Sequence, residues 1–356
     1  MNGRIESILG DIMKVLLFTN HRSAFLERIT YEGLVDNIGG NNVKIFKPNN
    51  IPVHQSMVEY SSTNNIIYEN EMLQRIDEFD SIILFNSAYM NPIFDKVLEK
   101  SDAKMFFVDG NDDFFLRHIR NNPKIILYLK SNVLTTLYPG YSIEWSIRYL
   151  YEILKSTAIE MRSGRKYASK WGIPISIAVK GQDKLVPFPL TASKRKVVRA
   201  ETRKDIDLSF IGTLNVPDRK RYFIDLLRLK NEKKDRSLYL SSHKITFQKY
   251  INIIKRSKLA LSFRGVNADT YRYWEIPYYR SALFAQRTPL AIPNDFVDQK
   301  SALFFSSIDE LRKKFDRYVL KTEEWKEITK SCRRHFVRYH TPKMRVKNFL
   351  LPFMNE

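Results

Sequence analysis

The sequence predicts an α/β protein built from two parallel-sheet domains in succession. Short apolar runs alternate with helical patterns through both halves of the chain. Most turns between them are short, as in strand–helix–strand units. At 356 residues the chain is also long enough for two sizeable cores.

The first half opens with Met13 to Thr19, a buried-strand pattern that ends in Asn20, His21, Arg22 and Ser23. Ser23 is a candidate cap for the helical spacing from Ala24 to Ile38, which stops at Gly39-Gly40. Strands follow at Val43 to Phe46 and Ser81 to Phe85, with a helix at Met72 to Phe79 between them. Pro92 to Lys100 reads as a helix and Lys104 to Val108 as a strand that delivers the run Asp109-Gly-Asn-Asp-Asp113. Ile125 to Leu129 is a further strand, and Trp145 to Tyr167 is read as helical. The two prolines in Lys184 to Leu190 forbid a helix interior and predict an extended crossing segment. Ser193 to Lys204 is basic and polar, as a linker would be. The expected division is therefore 1–192, 193–335 and a closing segment 336–356.

The second half repeats the alternation. Strands are expected at Ile206 to Ile211, Leu238 to Leu240, Leu259 to Phe263, Leu283 to Ala285, Leu290 to Ile292 and Leu303 to Phe305. Helices are expected at Asp218 to Leu229, Thr246 to Arg256, Tyr271 to Tyr279, Ile308 to Leu320 and Thr322 to Tyr339. Two such domains enclose a cleft, where ligands of such pairs bind.

Composition narrows the partners. The formal charge is +20. Residues 1–195 hold 24 Lys and Arg against 21 Asp and Glu, and residues 196–356 hold 35 against 18. The cationic second half implies an anionic partner: a nucleotide diphosphate, nucleic acid, an acidic glycan or an anionic membrane. The single cysteine, Cys332, excludes an internal disulfide and a cysteine-based zinc site, and makes the reducing cytoplasm the expected compartment. His335 and His340 lack the i, i+4 spacing of a helical metal pair. No apolar run approaches the roughly 20 residues that cross a bilayer, and Val15 to Phe18 is too short for a signal core. Leu350 to Met354, with Lys and Arg nearby, is a candidate peripheral contact with the inner membrane face.

Arg272 and Glu275 stand three residues apart on one short predicted helix, so a cation and a carboxylate share a turn. At the C-terminal edge of a parallel sheet such a pair suits a nucleotide: the cation faces the diphosphate, the carboxylate the ribose hydroxyls. An ion pair on the surface of an amphipathic helix is the plainer alternative.

The surrounding sequence resembles a GT-B glycosyltransferase of the CgeB-like group, glycosyltransferase family 1 type. Three stretches carry the resemblance: Asp207 to Thr213 with Arg219 and Arg221 downstream; Tyr250 to Glu275; and Phe305 to Leu311 followed by Glu323 to Arg334 and Tyr339 to Arg345. It covers roughly residues 205–347 and implies the GT-B fold, two Rossmann-like domains facing each other across a cleft. It also implies an enzyme that moves a sugar from a nucleotide-diphosphate donor, UDP-linked, to an acceptor hydroxyl, with no metal and no tightly bound cofactor. One departure stands out: where the family has a glycine-containing turn after the ribose-binding glutamate, this chain has Tyr279-Arg-Ser-Ala282. Arg280 is a candidate replacement for the lost backbone contacts. A weaker likeness, of layout only, is to the phage DNA β-glucosyltransferases.

Transfer needs positive charge on the leaving diphosphate, an acceptor base and an oriented nucleotide. The expected donor-side residues are Gly212, Arg219, Arg221, Arg264, Arg272 and Glu275. The expected base is Asp109, with Asp112 and Asp113 in reserve and His21 after them. Loop formation is the alternative for the aspartates. Reading Asn111-x-Asp113 as the metal motif of a GT-A enzyme conflicts with the two-domain layout. Acceptors that fit are a glycan, a lipid-linked sugar, a protein or modified DNA. A non-catalytic nucleic-acid-binding protein is the other functional class the charge allows, though no DNA- or RNA-recognition motif accompanies it.

Overall fold

The computed structural model describes residues 13–19, 24–47, 65–86, 91–110, 119, 122–131, 185–193, 203–214, 216–265, 269–288, 290–320 and 322–356. Its first sheet contains β1 (Val15–Phe18), β2 (Val43–Lys47), β3 (Ile66–Tyr68), β4 (Ser81–Phe85), β5 (Lys104–Asp109), β6 (Ile125–Lys130) and β7 (Leu185–Pro187). Helices α1 (Ala24–Ile38), α2 (Glu69–Gln74) and α3 (Phe94–Lys100) lie between its strands. All described pairings are parallel, in the order β3-β2-β1-β4-β5-β6-β7. The strands are short apolar runs because both faces are covered. Val15, Leu17, Ile83 and Phe106 pack into one core cluster, and Leu16, Phe18, Ile82 and Phe107 into another.

The second sheet contains β8 (Ile206–Ile211), β9 (Leu238–Ser241), β10 (Ser257–Ser262), β11 (Ala282–Gln286) and β12 (Leu303–Phe305). Its helices are α4 (Pro217–Glu232), α5 (Phe247–Arg256), α6 (Tyr271–Tyr278), α7 (Ile308–Leu320) and α8 (Thr322–Tyr339). The order is β12-β11-β10-β8-β9, again parallel. Chain order therefore reverses direction at β1/β4 in one sheet and at β8/β10 in the other. Ligands of such sheets bind outside the strand C-termini at those two places.

The chain then returns. Helices α9 (Pro342–Phe349) and α10 (Leu351–Asn355) pack on the first sheet's domain. Gly33 of α1 makes this possible: a Cβ there would lie 2.4 Å from the Pro342 carbonyl oxygen and 2.5 Å from Val346 Cγ2. Asn37 donates to the Lys343 carbonyl at 2.9 Å. Leu350 is 0% and Met354 4% exposed. Burying each such side chain contributes about 1.5–3 kcal/mol, so this segment is core, not the membrane contact expected of it. Among the described residues no helix is long and apolar enough to cross a membrane.

Other expectations shift. The helix expected at Met72 to Phe79 begins earlier, as α2, and ends in a short 3-10 turn at Ile76–Glu78. Leu290 to Ile292 is not a strand. The expected limit at residue 335 falls inside α8, which runs unbroken to Tyr339. Ser23, the helix at Trp145 to Tyr167 and most of the Ser193 to Lys204 linker lie outside the described residues.

Candidate active site

The β8/β10 edge gathers the donor-side candidates. Helix α6 starts just after β10 and carries both Arg272 and Glu275. The Arg272 guanidinium folds back over the end of β8, where Nη1 donates to the Ile211 carbonyl at 2.9 Å. Gly212 leaves it room: a Cβ there would sit 2.9 Å from Arg272 Nη1 and 3.1 Å from Cζ. Glu275 is half-buried, and its Oε2 accepts the Tyr250 hydroxyl at 2.9 Å. Arg272 and Glu275 thus have separate partners, from β8 and α5.

Arg219 has a different job from the one expected. It is 5% exposed, and its guanidinium donates to the Thr213 carbonyl and, through Nε and Nη2, to the Arg264 carbonyl. It clamps the loop after β8 to the loop after β10. Burial, with the Arg272 charge beside it, pulls its pKa down to about 10. Two cations are therefore held close together at the start of α4, where helix N–H groups already favour an anion. Arg264 is committed to an ion pair with Asp218 in the first turn of α4, so it is not the bare diphosphate ligand expected. Arg221 lies on the exposed face of α4, its guanidinium 5.7 Å from the Tyr222 ring.

Arg280 lies at the wrong edge to help a diphosphate. It follows α6 and precedes β11, at the N-terminal ends of the strands. Its φ of 62° is the left-handed conformation of a helix C-terminus, where glycine is the usual residue. Its carbonyl accepts from Lys204 Nζ at 2.7 Å.

Across the cleft, Asp109 is the main correction. Strand β5 runs one residue further than expected, and Asp109 pairs in register with Lys130 of β6. Its side chain is 0% exposed; Oδ2 accepts the Tyr128 hydroxyl at 2.5 Å and Lys130 Nζ at 3.1 Å. A carboxylate so enclosed holds the sheet together and cannot meet an acceptor hydroxyl. Asp112, Asp113 and His21 lie outside the described residues. The chain leaves toward them from β5 and β1. Gly110, next to Asp109, abuts Leu26 of α1, where a Cβ would lie 2.4 Å from Leu26 Cδ1. The first turn of α1 also meets the first turn of α6: the Phe25 and Tyr271 rings are 4.2 Å apart.

Sequence reasoning missed Tyr250 as the partner of Glu275 and Asp218 as the partner of Arg264. Tyr250 had a weak signal, being on the apolar face of α5 with Ile251, Ile253 and Ile254. A groove of about 600 Å³ between α5 and the starts of β8 and β9 contains neither Arg272 nor Glu275.

Two doubly wound domains, with a cationic strand edge beside a carboxylate, define a fold that known structures share. Residues 198–351 match the family model described as Glycosyl transferase-like. No curated protein sequence matches. A glycosyltransferase from Rickettsia africae ESF-5 is similar in structure, with TM-score 0.54 and 9% identity over 96% of this chain and 98% of that one. An alpha-glucosyltransferase in complex with UDP-glucose and DNA containing an abasic site gives TM-score 0.53 and 8% identity over 97% and 100%. Trehalose-6-phosphate from E. coli bound with UDP-2-fluoro glucose, as that structure is described, gives 0.53 and 10% over 97% and 99%. Against TarM and the GtfA/B complex the chain spans only 55% and 60% of their length, with 13% and 10% identity and TM-scores of 0.42 and 0.47. The fold is the GT-B fold, and residues 198–351 are similar to the glycosyl transferase-like family.

Proposed function

We propose that the protein transfers a glycosyl group from a nucleotide-diphosphate sugar, UDP-linked, to an acceptor hydroxyl. The observation that carries this reading is the Arg272 guanidinium seated over Gly212, one helical turn from Glu275. Arg272 neutralises the diphosphate as its bond to the anomeric carbon breaks, and Arg219 adds positive field without touching the ligand. Glu275 accepts the ribose hydroxyls. The acceptor oxygen attacks the anomeric carbon, its proton passes to a base, and the nucleoside diphosphate leaves. The base reading now rests on Asp112 and Asp113, then His21, which follow β5 and β1 in the sequence.

With arginines holding the diphosphate, turnover does not require a divalent metal. The strongly basic second half favours an anionic acceptor, such as an acidic glycan, a lipid-linked sugar or DNA. Cys332 is buried and its thiol is pushed up to about 12, so it is not a reactive nucleophile of the transfer. The test is calorimetry with UDP. Glu275→Ala should fold normally and lose about 1.5–3 kcal/mol of affinity. Unchanged affinity in a folded variant overturns the ribose assignment. Activity lost in EDTA and restored by manganese overturns the metal-free reading.

A further inference from the structure

We propose that Tyr250 is a positioning residue for the donor: its hydroxyl aims the Glu275 carboxylate at the ribose and so sets the preference for ribonucleotides over deoxynucleotides. The inference rests on the reading of Glu275 given above. Tyr250 belongs to α5, Glu275 to α6, so the bond ties two helices of the second domain together beside the β8/β10 edge. Thr246 caps α5 by accepting the Lys249 N–H, and the buried stripe of Tyr250, Ile251, Ile253 and Ile254 fixes how the helix is turned. The phenol is 9% exposed and has little freedom to move.

A glutamate side chain loses rotamer freedom when it is immobilised, which costs free energy. Tyr250 takes that cost in the free protein, so the ligand meets a carboxylate already oriented. A carboxylate offers about four lone-pair sites, so an oxygen engaged by one hydroxyl can still accept another. The direction of the bond is also settled. Burial, and then the negative charge of Glu275, push the Tyr250 phenol well above its ordinary value, so it stays a donor at any working pH.

The experiment compares UDP with its 2′,3′-dideoxy analogue by calorimetry on the full chain: wild type, Tyr250→Phe, Tyr250→His and Glu275→Ala. Tyr250→Phe should weaken UDP by about 3- to 10-fold and leave the dideoxy analogue unchanged. Tyr250→His, which keeps a ring and a donor, should recover part of the preference. At saturating donor kcat should hold while KM rises. Equal weakening of both ligands by Tyr250→Phe overturns the inference and makes Tyr250 a packing residue. If Tyr250→Phe does not fold, the inference stands or falls on Tyr250→His, which must then show a smaller ribose preference than wild type. If Glu275→Ala abolishes the preference while neither Tyr250 variant alters it, the inference fails and the reading of Glu275 survives. If Glu275→Ala keeps the preference, or wild type does not bind UDP, the underlying reading fails and this inference with it.

Discussion

At the residue scale, Gly212 separates the functional reading of Arg272 from a structural one. An added methyl at Gly212 meets the far end of a flexible side chain, so the backbone need not move. Gly212→Ala should therefore leave the melting temperature near wild type while displacing the guanidinium and weakening UDP by about tenfold, the worth of one charge-assisted hydrogen bond. A calorimetric titration showing wild-type affinity would remove Arg272 from the donor site. Asp109 predicts the opposite pattern. Its side chain and that of Lys130 are both 0% exposed, and breaking a buried pair costs about 3–5 kcal/mol because one charge is left alone. Asp109→Ala should lower the urea midpoint sharply; a catalytic base would instead cost turnover and leave the midpoint alone. The sequence could not decide between these roles because they differ by one residue of strand length. Ending β5 at Val108 puts Asp109 in a loop; ending it at Asp109 puts the carboxylate beside Lys130.

At the scale of elements, what was legible is what local physics dictates. Helix α1 was readable to both ends because its spacing is regular and Gly39-Gly40 stops it. Strands β1 and β4 were readable because strands buried on both faces are continuous apolar runs. Strand β3 escaped notice: three residues give no periodicity to find. The tail at Leu350 to Met354 looked like an exposed apolar patch because what covers it is a surface more than three hundred residues earlier in the chain. The turn after α6 was read as an adaptation to a diphosphate, yet it is a helix C-terminus. The left-handed backbone of Arg280 costs about 1–2 kcal/mol, against about 0.5–1 kcal/mol for the extra freedom of an unfolded glycine. Arg280→Gly should therefore stabilise the protein by up to about 1 kcal/mol in urea unfolding, with UDP affinity unchanged. Weakened UDP binding would restore Arg280 to the donor site.

At the scale of the whole molecule, the second domain is joined to the first at a buried polar junction. Asp269, before α6, accepts the Leu190 N–H from the crossing segment at 2.6 Å and Trp274 Nε1–H at 2.7 Å. Thr191 donates to the carbonyl of His340, and Arg345, 1% exposed, lies 4.8 Å from the Trp274 ring. The helix that carries Arg272 and Glu275 is thus anchored to both connections between the domains. Burial pushes Asp269 up to about 7, against its two N–H donors and the Arg345 cation. Burial also drives His340 well below its ordinary value, aided by the charges of Arg345 and His335. Their linkages have opposite signs. Asp269 holds a proton that the unfolded chain releases near pH 4, so its contribution to stability falls as pH rises from about 4 to about 7. His340 stays neutral where the unfolded chain takes up a proton near pH 6.5, so its contribution is present above that pH and is lost as pH falls. Between about pH 5 and 6.5 the two slopes oppose each other. Removing one exposes the other, and subtracting wild type from variant cancels the titrating groups that do not interact with the replaced one. The unfolding free energy of Asp269→Asn relative to wild type should become more favourable as pH rises through this window. That of His340→Phe, whose ring replaces imidazole among Trp274, Phe296 and His335 at 5.0, 5.2 and 5.3 Å, should become more favourable as pH falls. Urea melts at half-unit intervals read both differences. If either is flat across the window, that group keeps its ordinary titration in the folded protein and the junction does not couple proton binding to the way the domains are joined.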